Sequence, residues 1–70
     1  MNKGKAEVFL CAVGLFLRDL ESPDDCTDPK FDADTWRAYV TRALTYPGVA
    51  AADGYTEAKA RAEALGIGIA

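Results

Sequence analysis

Apolar residues in the first part of the chain recur at helical spacing. Ala6, Leu10, Val13, Leu17 and Leu20 fall at i, i+4, i+7, i+11 and i+14 and line one face. Phe9 with Phe16, and Val8 with Leu15, add two further stripes. Ala, Leu and Phe dominate, and only Val8 and Val13 are β-branched, so the pattern predicts a helix over 5–21 rather than a strand. A helix apolar all the way round must be covered all the way round. This one is therefore expected at the centre of the fold or against a second copy of the chain. Phe9, Leu10, Val13, Phe16, Leu17 and Leu20 are the expected dimer-interface residues.

Ser22-Pro23-Asp24-Asp25 ends that helix, because the residue before a proline is pushed out of helical geometry. A long acidic loop is expected over 22–32. A second helix over 33–46 takes Asp32 or Asp34 as its cap, with Trp36, Tyr39, Val40, Ala43 and Leu44 on its apolar side. Pro47-Gly48 stops it. Val49-Ala50-Ala51-Ala52 reads either as one short helical turn or as an irregular link, and Asp53-Gly54 as a turn. A third helix over 56–65 is capped by Thr56, carries Ala58, Ala62 and Leu65 inward and a Glu57–Arg61 pair outward, and stops at Gly66. Ile67-Gly68-Ile69-Ala70 either docks on the core or frays. The reading is a small all-α domain spanning 1–70: three helices with an acidic loop between the first and second, dimerising through the first. At 70 residues the core is small, because a chain of about 60 residues buries only about 60% of its unfolded surface. Self-association is the expected extra source of stability.

The net charge of −3 is unevenly spread. Residues 19–34 hold Asp19, Glu21, Asp24, Asp25, Asp28, Asp32 and Asp34 against Lys30 alone, while both flanks are weakly basic. Lys3 and Lys5 ahead of the run Val8–Leu17 imitate a signal peptide. Glu7 at the mouth of the run, the absence of a small-x-small cleavage site and the Arg18-Asp19-Leu20-Glu21 that follows all argue against one. The run is also short of the roughly 20 apolar residues that span a bilayer. A cytoplasmic protein with no membrane attachment is the expectation.

Candidate chemistry is sparse. The chain has no histidine, no glutamine, a single serine (Ser22) and two cysteines. Ser/His and Cys/His nucleophile pairs and four-ligand Cys/His zinc sites are therefore excluded within one chain. Cys11 lies in the apolar run and reads as a small packing residue. Cys26 sits among Asp24, Asp25 and Asp28, a setting that works against thiolate chemistry. The same aspartates lack the central glycine and twelfth-position glutamate of an EF-hand loop. No catalytic residue, cofactor or metal is expected.

Residues 54–67, from Gly54 to Ile67, resemble the first helix and turn of a helix-turn-helix motif. A recognition helix would have to follow Ile67, where only three residues remain, and no basic patch accompanies it. Direct nucleic-acid binding is accordingly not the leading expectation. The acidic stretch suits a protein partner, including one with a basic nucleic-acid-binding groove, as in the phosphate mimicry used by small phage-encoded inhibitors. Asp19, Glu21, Asp24, Asp25, Asp28, Asp32, Asp34 and Trp36 are the candidate partner-binding residues, Trp being favoured at binding hot spots. The functional expectation is a small non-enzymatic regulator or inhibitor, homodimeric, of the kind viruses encode. The alternatives are a transcriptional regulator using the C-terminal helix through Lys59 and Arg61, and a structural subunit of a larger assembly.

Overall fold

The apolar positions of the first helix decide the architecture, because two later helices and their linker must together cover one of its faces. In the computed structural model, which describes residues 3–69, α1 runs Lys3–Glu21, α2 Ala33–Leu44 and α3 Tyr55–Ala64. Short 3₁₀ turns at Pro23–Asp25 and Val49–Ala51 interrupt the two connections. The described residues contain no strand, and no helix among them is long and apolar enough to cross a membrane.

Ala6, Leu10, Val13 and Leu17 of α1 are buried, at one stripe of i, i+4, i+7 and i+11. Against them pack Val40 and Leu44 of α2, Val49 and Ala52 of the second linker, Ala58 and Ala62 of α3, and Ile67. Leu10, Val13 and Leu17 are 9%, 1% and 0% exposed, so these three expected dimer-interface residues belong instead to the core of one chain. Phe16 and Leu20 lean on that core from its margin.

The helix ends follow local chemistry. Asp32 caps α2: its Oδ2 accepts from the Thr35 amide at 3.1 Å. The far end of α2 stops at Leu44, two residues before the expected boundary. There the Thr45 hydroxyl donates to the Thr41 carbonyl at 2.7 Å, and Pro47 pushes Tyr46 out of helical geometry. Val49-Ala50-Ala51 takes the turn option rather than the irregular one. Thr56 does not cap α3; Gly54 does so through its backbone, with φ of 91°. The Arg61 side chain turns away from Glu57 and reaches Glu21 instead.

The C-terminal tail docks. Gly66 adopts φ of 83°, the Ile67 amide donates to the Ala62 carbonyl at 3.0 Å and the Gly66 amide to the Glu63 carbonyl at 2.9 Å. These are the paired 6→1 and 5→2 bonds of a left-handed glycine stop. They turn the chain so that Ile67, 6% exposed, falls onto the core beside α3.

Candidate functional site

Beside the core, a seam of aromatic rings runs between α1 and α2. Phe9 meets Tyr46 edge-on with ring centroids 5.1 Å apart, and Phe16 meets Tyr39 at 5.3 Å. Seven residues forward along α1 match seven backward from Tyr46 to Tyr39, the register of an antiparallel pair. Continuing the same register brings Asp19 opposite Trp36, whose Nε1–H donates to Asp19 Oδ2 at 3.1 Å. Phe16 and Phe31 each pack edge-on to Trp36, at 5.3 and 5.4 Å. Edge-to-face contacts of this kind bring the positive ring edge to the negative ring face. Of the chain's aromatic residues only Tyr55 lies outside the seam.

A cleft of about 460 Å³ opens at the Trp36 end of the seam. Leu15, Phe16 and Trp36 form its apolar floor, and Asp19, Asp25 and Asp28 its acidic walls. Arg18, at the last turn of α1, is the one cation among its lining residues, and Cys26 contributes a free thiol. Two of the three carboxylates are held by bonds of their own. Asp19 accepts from Trp36, and Asp28 Oδ1 accepts from the Lys30 amide at 2.9 Å, so each keeps its other oxygen for a further donor. At the opposite end, Phe9, Tyr39, Arg42, Ala43 and Tyr46 surround a shallower hollow of about 300 Å³.

The structure separates the candidate partner-binding residues into two groups. Asp19, Asp25 and Asp28 come together at the cleft. Asp32 serves as the α2 cap. Glu21 receives Arg61 through two contacts, Nη2–Oε1 at 2.6 Å and Nε–Oε2 at 3.1 Å, which lower the Glu21 carboxyl below its ordinary value by hydrogen bonding. The same bonds raise the Arg61 guanidinium. Asp24 and Asp34 are exposed and lie away from the cleft walls. Trp36 is only 6% exposed, so its part in the surface is to floor the cleft and orient Asp19 rather than to project outward. Tyr39 and Tyr46, each 44% exposed, are the seam's outward rings.

Sequence reasoning missed the seam, although a signal for it was present. Phe9 and Phe16 are separated by the same seven residues as Tyr39 and Tyr46, and matched spacings on the first helix and on the segment from the second helix to just past its end are what an antiparallel ring ladder requires. Val8 (64% exposed) and Leu15 (56% exposed) leave a second apolar strip on α1, with exposed Cys11 and Ala12 between them, and its Ala12–Leu15 end runs into the cleft. No group of three or more Cys, Asp or Glu among the described residues is placed to hold a metal ion. The chain matches no protein-family model, and no curated protein or solved structure matches it significantly.

Proposed function

We infer that this protein is a non-enzymatic regulator or inhibitor that binds a basic surface on a protein partner through the acidic end of its aromatic seam. The observation that supports this reading is that Asp19, Asp25 and Asp28 line one cleft together with an apolar floor. Carboxylates merely solvating a loop need no such floor. An apolar base surrounded by charge is the anatomy of a protein-binding surface, where aromatic anchors are desolvated and a polar rim sets orientation. A partner with a nucleic-acid-binding groove fits the same charge, since carboxylates can compete with phosphates for a basic surface. Catalysis finds no support in a chain lacking histidine and holding a single serine. The nucleic-acid alternative is weakened by the engagement of Arg61 with Glu21, which ties up one of the two α3 cations it relies on.

The test is affinity capture from cells of the source organism with the native chain and with a D24N/D25N/D28N triple variant, under matched circular dichroism. The expected result is a basic partner retained by the native chain, released by added duplex DNA or RNA and lost with the triple variant. An identical set of captured proteins for both chains defeats the reading.

A second reading has its own observation. Val8 and Leu15 stay exposed on α1 although the helix's other face is buried. A homodimer through α1 would use Val8, Cys11, Ala12 and Leu15 rather than the buried Leu10, Val13 and Leu17. Sedimentation of the native chain and of a V8D/L15D variant decides it: a native chain that stays monomeric at high concentration removes the dimer.

A further inference from the structure

We propose that the cleft between the end of α1 and the start of α2 is a receptor for a single arginine side chain presented by the protein partner. The inference rests on the reading of the protein as a binder of basic surfaces, and it adds the chemistry of the recognised group.

The cleft, at about 460 Å³, falls within the roughly 300–1,000 Å³ of pockets that take drug-sized ligands, which is ample room for one arginine side chain. Its floor of Leu15, Phe16 and Trp36 is apolar and partly aromatic, while Asp19, Asp25 and Asp28 stand around it. A compact, strongly hydrated ammonium gains little from such a floor. A guanidinium is planar and weakly hydrated, packs flat on aromatic and aliphatic surface, and presents forked donors to carboxylates. Its methylene stem adds apolar contact on the way in.

Two of the receiving groups are also restrained in advance. The Trp36 indole N–H donates to Asp19 and the Lys30 amide to Asp28, so each carboxylate is already held by one bond when a donor arrives. Preorganisation of this kind removes an entropic cost that a flexible acidic loop would incur on binding. Trp36 is itself locked between Phe16 and Phe31. Arg18 lines the same cleft and carries the same charge as the proposed guest, so it acts as a competitor at the rim.

The protein contains one tryptophan, and it floors the cleft, so its fluorescence reports occupancy directly. The experiment titrates the full chain with acetyl-Gly-Arg-Gly-amide, with the isosteric neutral citrulline peptide and with the lysine peptide. Saturable quenching or shift is expected with arginine, none with citrulline and weaker binding with lysine. D19N and D28N should each weaken arginine binding by about tenfold, the scale of one charge-assisted hydrogen bond. D34N makes the same charge change away from the cleft and should stay within about twofold. R18Q should strengthen binding.

Three results overturn the proposal: no saturable response to arginine, equal binding of citrulline, or lysine bound as tightly as arginine. Equal losses from D34N and D28N also overturn it, by showing diffuse attraction rather than a receptor. That last result would leave the broader acidic-surface reading standing, whereas unchanged partner capture by the triple asparagine variant would remove the broader reading itself. Circular dichroism of each variant confirms that an altered response reflects the cleft and not the fold.

Discussion

The two faces of α1 carry similar residues and have opposite fates. Leu10, Val13 and Leu17 are at most 9% exposed, whereas Val8 and Leu15 on the other side are 64% and 56% exposed. Nothing in side-chain chemistry separates Leu15 from Leu17. The difference lies in the amount of covering material: two later helices, a linker and the tail can enclose one face of α1 and the seam beside it, and no more. An all-round apolar helix in so short a chain therefore marks both a core and a surface. The surface side leads directly into the cleft, since Ala12 and Leu15 belong to both.

The largest effect is expected at Leu17. Leu17→Ala opens a cavity at a fully buried site and should cost about 2–5 kcal/mol in chemical denaturation, a large share of the roughly 5–15 kcal/mol that typical domains have. A loss below about 1 kcal/mol would mean that the inner face is not the packed one. Gly66→Ala tests the stop that brings Ile67 over that face. The site has open space for a Cβ, so the cost is backbone strain at φ of 83°, about 1 kcal/mol by thermal unfolding.

Smaller effects are expected at the end of α1. Both side chains of the Glu21–Arg61 pair are more than a third exposed, so solvent screening holds its worth to under about 1 kcal/mol. The Glu21 carboxyl lies below its ordinary value of 4.5 in the folded chain. Its contribution is therefore present above the unfolded value and is lost as pH falls through the lowered folded one. Stability curves of the native chain and Glu21→Gln should differ at neutral pH and converge in acid; a gap that widens in acid contradicts the pairing. Smallest of all, Leu15→Ser should change monomer stability by no more than about 0.5 kcal/mol, as surface substitutions do. The Leu17→Ala to Leu15→Ser contrast measures the asymmetry of α1 within one helix.

Much of the fold was legible because local signals agreed. The periodicity of 6–20, the Pro23 break, Asp32 ahead of α2 and Gly66 after α3 each act through bonds within a few residues, and the helices lie close to where these signals put them. The misses were of two kinds. Thr56 looked like a cap, but Gly54 in left-handed geometry already turns the chain into α3. Arg61 looked like the partner of Glu57 one turn away, but the bidentate fit to Glu21 lies across the fold and is invisible to spacing on a single helix. The candidate site was legible as composition only. That Asp19, Asp25 and Asp28 face one cleft while Asp32 caps a helix and Glu21 holds Arg61 depends on where the chain turns between α1 and α2.

The sequence by itself determined that this chain is helical, where its helices break, that its middle is acidic and that it holds no histidine, because these follow from residue type and short-range geometry. Tertiary structure alone decided which face of the all-apolar α1 is buried. It also decided that Phe9, Phe16, Tyr39, Tyr46 and Trp36 align into one seam, and that three of the seven carboxylates of residues 19–34 line one cleft with an apolar floor. Burial is a competition among apolar faces for limited covering surface, and its outcome is set only when the helices are packed together.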